Sequence, residues 1–149
     1  MPTIQRGLAV VEAGKGRFKP HTLSMGALLI DDTYNASASS VESATATLGA
    51  FNGKKIFVMS NMGELGEHAP FYHREMGRWA KKYGVDQLWL FGDRKLLQAT
   101  CEQFPQAQYF NDKQQLVEKL RGHLDEKTMV IVKGSRANKM EEVVVSLIK

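Results

Sequence analysis

Short apolar runs alternate with helical patterns along this chain, and that alternation limits the folds it can adopt. A continuous apolar run is typical of a strand that is buried on both faces of a sheet. We predict such strands at residues 27–30, 55–59, 87–91, 108–110 and 128–132. A segment with helical spacing of its apolar residues follows each one. Strands and helices in alternation favour a parallel sheet that carries helices on both faces.

The predicted fold class is therefore α/β: a Rossmann-like domain of three layers with a mostly parallel sheet. A further strand is expected around residues 18–23, pairing antiparallel at an edge of that sheet. The 149 residues fit one domain, which is large enough to bury a core without a metal or a disulfide. Cys101 is the only cysteine, so an internal disulfide is excluded.

Composition argues against two classes of partner. The net charge is +4, and no run of five or more basic residues concentrates it, so we expect no nucleic-acid partner. No apolar stretch approaches the roughly 20 residues of a membrane span, so we expect no membrane partner. The first residues contain no apolar core of a signal peptide, and a cytoplasmic protein is the expectation.

Several motifs that carry chemistry are missing. No Gly-x-Gly-x-x-Gly follows the first predicted strand, and Gly14-Lys15-Gly16 lacks the hydroxyl residue of a P-loop. We therefore expect this domain to supply one wall of any nucleotide site, and no catalytic residue of its own. The four histidines show no metal-ligand spacing, and no metal site is expected. His68 and His73 flank a predicted helix start, which predicts surface or capping roles.

Polar residues stand where four of the predicted strands end. They are Asp31-Asp32, Asn61, Asp93 and the group Lys133, Ser135 and Arg136. The carboxyl ends of parallel strands share one edge of the sheet, and open α/β sheets bind ligands outside that edge. The sequence therefore predicts a ligand site there.

Asp32 has two interpretations. A carboxylate at a strand end can accept hydrogen bonds from two ribose hydroxyls. It can equally cap its own turn by accepting from amides near Asn35. The same choice between site and turn applies to Asn35, and the residues alone leave both open.

The segment Lys133-Gly134-Ser135-Arg136 favours an anion site. Gly134 allows a close backbone approach, and Arg136 offers a planar fork for a carboxylate or phosphate. Ser135 is predicted to cap the last helix, at about residues 137–148, whose amino end would favour negative charge. The alternative is a capped helix with a solvated lysine and arginine.

Four segments together resemble the carboxy-terminal domain of the Mur ligase family. They are Gly16-Arg17-Phe18, Asp31-Asp32-Thr33-Tyr34-Asn35-Ala36, Met62-Gly63-Glu64-Leu65-Gly66, and Val132-Lys133-Gly134-Ser135-Arg136-Ala137 with Met140-Glu141. They spread over nearly the whole chain. The second and fourth are most similar to the branch of the family that adds D-alanyl-D-alanine.

The resemblance implies an ATP-dependent peptide ligase of peptidoglycan synthesis. In that family the γ-phosphate of ATP activates the carboxylate of UDP-N-acetylmuramoyl-tripeptide as an acyl phosphate, which the amine of D-alanyl-D-alanine attacks. ATP and Mg²⁺ are bound mainly by a central ATPase domain, and an amino-terminal domain holds the sugar nucleotide. Neither domain is expected within residues 1–149, which would be the carboxy-terminal domain only, folded but inactive alone.

The resemblance also implies residue roles. Arg17 and Asp32 match family residues that face the phosphates and ribose of ATP, and Asn35 belongs to the same loop. Nucleotide binding is therefore expected at these three positions.

On the substrate side, Lys133, Ser135 and Arg136 match the loop that lines the dipeptide pocket. Asn61 is assigned to the same site, although aspartate is usual there in this branch. Arg136 or the helix end is expected to meet the carboxylate of the dipeptide.

Two other functions remain as alternatives. One is a stand-alone module that binds a small ligand or a partner. The other is the equivalent domain of a related amide ligase, such as a folylpolyglutamate synthetase, against which the loop at residues 133–136 argues.

Overall fold

The computed structural model describes residues 16–34 and 36–149, so the predicted site residue Asn35 lies outside the described residues. The strands are β1 Lys19–Thr22, β2 Leu28–Asp32, β3 Lys54–Ser60, β4 Gln87–Phe91, β5 Gln108–Phe110 and β6 Thr128–Lys133. The helices are α1 Ala38–Gly49, α2 Ala69–Lys82, α3 Arg94–Gln103, α4 Lys113–Arg121 and α5 Glu141–Ile148. Short 3₁₀ turns cover Gly66–His68 and Arg136–Asn138.

These strands form one sheet in the order β1-β2-β6-β3-β4-β5. β1 pairs antiparallel with β2 at one edge, and every other neighbouring pair is parallel. The predicted mostly parallel sheet with an antiparallel edge strand is confirmed. β6, the last strand in the chain, lies between β2 and β3, so it brings the carboxyl-terminal segment to the middle of the sheet.

Helices cover both faces of the sheet and complete three layers. One face packs against α1, α2 and α3, whose buried apolar residues include Val41, Met76 and Leu97. The other face packs against α4 and α5, which contribute Leu116 and Val143. The central strands are buried on both faces, which is why their sequences are continuous apolar runs. None of the described helices has the length and apolar character that a bilayer crossing requires.

The strand β2 is longer than its apolar run. It continues through Asp31 and Asp32, because the backbone there pairs with Val132 and Lys133 of β6. The two aspartates therefore lie on the strand rather than in the loop behind it. Successive side chains of a strand point to opposite faces, so the two carboxylates are directed differently.

The sequence predicts that Ser39 or Ser40 caps the helix that contains Val41, but α1 begins earlier. Its N-cap is Ser37, whose hydroxyl accepts a hydrogen bond from the amide of Ser40, and the Ser40 hydroxyl accepts in return from the Ser37 amide. This reciprocal capping box satisfies two amides that the helix itself leaves unpaired. The sequence predicts a stop at Asn52-Gly53, and the helix ends earlier, at Gly49.

The prediction for the last helix is wrong at its start. Arg136–Asn138 forms a separate 3₁₀ turn, Lys139 takes a left-handed conformation with φ +50°, and α5 begins only at Glu141. The Ser135 side chain makes no capping hydrogen bond. The break lets Met140 enter the core, where it is 0% exposed. The helix end that was expected to attract an anion at Ser135 therefore lies elsewhere.

Candidate functional site

The carboxyl edge of the sheet gathers the polar strand ends, as predicted. β2, β6, β3 and β4 are consecutive parallel neighbours. Lys133 at the end of β6 contacts Asp32 at the end of β2, with 2.9 Å between Nζ and Oδ2. The amide of Asp93, after β4, donates to Oδ1 of Asn61, after β3, at 2.9 Å. The prediction of a shared rim is therefore confirmed by direct contacts along it.

The pair Lys133–Asp32 is largely shielded from water, since the two side chains are 2% and 14% exposed. Burial raises the pKa of Asp32 above 3.8, and the charge and hydrogen bond of Lys133 oppose that rise. The ammonium of Lys133 is therefore directed at Asp32 rather than at solvent. Lys133 positions the carboxylate, and Asp32 is the member of the pair that remains partly accessible.

Asp31 makes the turn contact that the sequence left open for Asp32. Its Oδ1 accepts hydrogen bonds from the hydroxyl of Thr33 at 2.6 Å and from the Thr33 amide at 3.3 Å. Asp31 is 3% exposed. Among the described residues, Asp31 therefore holds the turn, whereas Asp32 pairs with Lys133 at the rim.

Tyr34 stands between two arginines at the rim. The Cζ atoms of Arg17 and Arg136 lie 3.9 Å and 4.8 Å from the centroid of its ring. Both distances are within the range of cation–π attraction. Hydrogen bonding by Arg17, the charge of that guanidinium and then the charge of Arg136 lower the pKa of Tyr34 below 10. The ring therefore contacts both Arg17, which is predicted to bind the nucleotide, and Arg136, which is predicted to bind the substrate.

A backbone contact brings Arg17 to this position. The amide of Tyr34 donates to the carbonyl of Gly16 at 2.7 Å. Gly16 has φ +77°, and a Cβ there would lie 3.0 Å from the Tyr34 nitrogen. Glycine is therefore needed next to Arg17, both for the conformation and for the close approach. Tyr34 carries no sequence signal of its own, although it stands inside the resembling segment Asp31–Ala36.

Tyr34 borders two open clefts. The first, which we call the Asp32 cleft, has a volume of about 400 Å³ and is lined by Arg17, Phe18, Asp32, Tyr34, Ser37, Ser40 and Lys133. The second, the Arg136 cleft, has a volume of about 340 Å³ and is lined by Gly16, Thr33, Tyr34, Arg136 and Glu141. Lys133 lines the first cleft and Arg136 the second, and the assignment of both to the dipeptide pocket stays a prediction.

The segment after β6 is held by contacts inside the protein. The amide of Ser135 donates to Ser60 Oγ at 3.1 Å, and Ser135 Oγ accepts from Asn138 Nδ2 at 2.8 Å. A Cβ on Gly134 would overlap the Ser60 hydroxyl and lie 2.7 Å from Met140 Cγ. The close approach expected at Gly134 is thus made to β3. Ser135 is 7% exposed, so it supports the rim through contacts inside the protein.

Asn61 ties three strand ends together. Its Oδ1 accepts from the amide of Asp93 at 2.9 Å and from Asn138 Nδ2 at 3.0 Å. Gly92, with φ +128°, is required beside it, because a Cβ there would overlap this oxygen. The carbonyl of Asn61 is therefore occupied within the protein. Asn138 and Gly92 carried no sequence signal that predicted this network.

His73 corrects the prediction of a surface or capping histidine. It is 0% exposed. Its Nε2 accepts from the amide of Met62 at 2.9 Å, and its Nδ1 lies 2.7 Å from the carbonyl of Ala69, to which it donates. A neutral ring with the proton on Nδ1 satisfies both contacts. Burial lowers the pKa of His73, opposed by the Ala69 contact and the charge of Asp93. His73 thus anchors the loop that follows β3.

The comparisons with known proteins agree on one family. Residues 16–136 match the family model described as Mur ligase, glutamate ligase domain. The UDP-N-acetylmuramoyl-tripeptide–D-alanyl-D-alanine ligase of Escherichia coli strain K12 is 34% identical over 99% of this chain and 32% of its own length. The chain thus spans about a third of the length of the curated relatives it matches.

Solved structures similar to this chain belong to the same family. The MurF ligase of Thermotoga maritima, determined in complex with ADP, superposes with a TM-score of 0.81 at 27% identity, over 90% of this chain and 30% of that one. MurF from Acinetobacter baumannii superposes with a TM-score of 0.79 at 29% identity, over 91% and 30%. Since the family model covers most of the described residues, this chain belongs to the Mur ligase family and carries its carboxy-terminal, glutamate ligase domain.

Proposed function

We propose that this chain is the carboxy-terminal domain of an ATP-dependent ligase that joins D-alanyl-D-alanine to UDP-N-acetylmuramoyl-tripeptide in peptidoglycan synthesis. The relatives named for that reaction match almost the whole chain, at 34% and 35% identity. The observation that carries the proposal is the arrangement around Tyr34, where a cation and a carboxylate line one cleft and a second guanidinium lines the next.

The Asp32 cleft is assigned to the nucleotide. The guanidinium of Arg17 suits a phosphate oxygen, because it is always charged and donates in a planar fork. The carboxylate of Asp32, oriented by Lys133, suits the hydroxyls of a ribose. These groups fit the phosphate and sugar parts of ATP, and Asn35 is assigned to the same side.

The Arg136 cleft is assigned to D-alanyl-D-alanine. Arg136 is exposed at the rim and available to the carboxylate of the dipeptide. Ser135 and Asn61 act on this side by holding the loop that presents Arg136, and of these three residues only Arg136 is assigned a direct contact. Lys133 borders the Asp32 cleft, where it positions the carboxylate of Asp32.

The central ATPase domain of the ligase is the proposed partner of this rim, and it would supply most of the contacts to ATP and Mg²⁺. This chain would hold the nucleotide and the dipeptide against that domain and exclude water from the acyl phosphate. Positioning without the groups that activate phosphate does not lower the barrier, so the 149-residue chain is expected to be inactive alone. We assign the ligase to the cytoplasm, in keeping with its use of ATP.

The test uses the full-length ligase that contains this chain. Phosphate release from ATP should require both UDP-N-acetylmuramoyl-tripeptide and D-alanyl-D-alanine. Arg136→Ala should raise the KM for the dipeptide by about ten- to a hundredfold, since it removes a charge-assisted contact, and Arg136→Lys should fall between. Asp32→Asn should act on the KM for ATP instead.

Three results would contradict the proposal. Phosphate release that does not depend on D-alanyl-D-alanine would refute the assigned reaction. An unchanged KM for the dipeptide in Arg136→Ala would refute the role of Arg136. A raised KM for the dipeptide alone in Asp32→Asn would refute the division into a nucleotide cleft and a dipeptide cleft.

A further inference from the structure

The Arg136 cleft carries opposite charges on its walls. Arg136 belongs to the 3₁₀ turn after β6, and Glu141 is the first residue of α5. Both line the same volume of about 340 Å³. Glu141 stands in a segment that resembles the family, but neither its spacing nor its neighbours predict a role for it.

Neither Arg136 nor Glu141 forms an ion pair with another described residue. In residues 16–34 and 36–149, neither Arg136 nor Glu141 has an ion-pair partner within 4.0 Å, and they do not pair with each other. Glu142, the next residue along, is different, because its carboxylate lies 2.8 Å from Lys113 Nζ. Among the described residues, no opposite charge neutralises either one, so the cleft presents a cation and an anion toward one open space.

We infer that Glu141 binds the ammonium group of the acceptor dipeptide while Arg136 binds its carboxylate, which makes this cleft selective for a zwitterion. The inference rests on the proposed function. A free dipeptide carries one positive and one negative end at neutral pH. A cleft with the complementary charges on separate walls accepts it in one orientation and rejects analogues that lack either charge.

Tyr34 suits the rest of such a ligand. Its ring is 41% exposed and lines the cleft together with Thr33. Arg17 and Arg136 lie over the ring, and the part of it that borders the cleft is left to contact a small methyl side chain. A dipeptide of small residues fits this combination better than a large or singly charged ligand.

A second explanation of Glu141 is electrostatic support of the helix. Acidic residues in the first turn of a helix stabilise it by interacting with the dipole. Glu141 and Glu142 both occupy the first turn of α5. Replacing either glutamate removes one charge from the same helix end, but only Glu141 lines the cleft. The two replacements therefore form a matched comparison.

The experiment compares Glu141→Gln with Glu142→Gln in the full-length ligase. Glu141→Gln should raise the KM for D-alanyl-D-alanine about tenfold or more and leave the KM for ATP unchanged, whereas Glu142→Gln should leave both unchanged. Glu141→Asp, which keeps the charge, should recover part of the loss. N-acetyl-D-alanyl-D-alanine should inhibit the wild type at least about tenfold more weakly than expected from the KM of the free dipeptide, and this discrimination should disappear in Glu141→Gln.

Each failure has its own signature. If the wild type shows no activity that depends on D-alanyl-D-alanine, the proposed function is wrong. If the wild type is active and Glu141→Gln keeps its KM for the dipeptide and its discrimination against the acetylated form, only this inference is wrong. Equal effects of Glu141→Gln and Glu142→Gln would also overturn it, in favour of the helix-end explanation. Thermal unfolding of each variant identifies any loss of folded protein.

Discussion

Lys133 and Asp32 stand 101 positions apart in the chain, yet their Nζ and Oδ2 atoms lie 2.9 Å apart. The register of β2 and β6 sets the two residues opposite each other at the carboxyl ends of neighbouring strands. Removing two charges from water costs free energy, which their attraction and hydrogen bond offset. The pair thus fixes the carboxylate of Asp32 in the wall of the Asp32 cleft.

Replacing Lys133 by methionine should destabilise the fold. The neutral side chain leaves Asp32 with an uncompensated charge in a shielded position, and breaking such a pair typically costs about 3–5 kcal/mol. Urea unfolding measures the change. Lys54→Met is the control, since its partner Asp125 lies 3.9 Å away and the two side chains are 33% and 52% exposed. Exposed pairs contribute about 0–1 kcal/mol, so equal losses in the two variants would contradict the role assigned to Lys133.

The stability of the fold should fall as the pH drops below about 6.5, the ordinary pKa of histidine. Burial lowers the pKa of His73, so the unfolded chain takes up a proton there before the folded protein does. The contribution of the neutral ring is therefore complete above the unfolded pKa and is lost as the pH falls toward the folded one. His123 has a pKa lowered by partial burial and by Lys54 and Lys119, and it adds a change of the same sign.

Comparing variants separates the two histidines. His73→Gln should reduce the slope of unfolding free energy against pH below 6.5, by up to about 1.4 kcal/mol per pH unit, the limit for one proton. His123→Gln should reduce it less, because that ring is less buried. Denaturant unfolding at several pH values gives the slopes. A slope that is unchanged in His73→Gln would mean that this ring takes up its proton as readily in the folded protein as in the unfolded chain, which contradicts the lowered pKa.

Gly134→Ala should lower the free energy of unfolding. The new Cβ would overlap Ser60 Oγ and crowd Met140, and overpacking of this kind costs about 1–3 kcal/mol. Gly122→Ala is the matched control, since its Cβ would meet nothing nearer than the Lys119 carbonyl at 3.5 Å. Thermal or urea unfolding should show a loss only in Gly134→Ala. If both variants are as stable as the wild type, the close contact of β6 with Ser60 is not required.

Ser37→Ala should weaken the start of α1. It removes the hydroxyl that accepts from the Ser40 amide, and loss of an N-cap costs about 1 kcal/mol. Ser39→Ala, two residues later and exposed, should change the unfolding free energy by no more than about 0.5 kcal/mol. The reverse order of the two effects would support the cap predicted from the sequence instead.

The N-cap of α1 shows that local sequence predicts the presence of a helix better than its first residue. Ser37, Ser39 and Ser40 are chemically equivalent candidates, and three serines within four positions leave the first turn undetermined. In the structure, Ser37 and Ser40 act together: the Ser37 hydroxyl accepts from the Ser40 amide, and the Ser40 hydroxyl accepts from the Ser37 amide. A reciprocal pair of hydrogen bonds, rather than the intrinsic preference of one serine, therefore marks the boundary.

The site was predictable in outline for a similar reason. The polar residues Asp32, Asn61 and Arg136 follow apolar runs, and parallel strands carry such residues to one edge whatever their order in the sheet. Their individual partners were not predictable. Asp31 and Asp32 are the same residue type at adjacent positions, so the sequence does not distinguish their roles. The pleat of β2 and its register with β6 direct Asp31 to Thr33 and Asp32 to Lys133.

The amino-acid sequence by itself determined the class of this fold and the edge that carries its charged groups, because burial on both faces requires continuous apolar strands and the polar residues are left at their ends. Only the tertiary structure decided that Arg17 and Arg136 share the ring of Tyr34, that Lys133 pairs with Asp32, and that Glu141 lines the same cleft as Arg136. These relationships join residues from distant segments, and the contacts between them depend on strand order and helix packing, which no local pattern records.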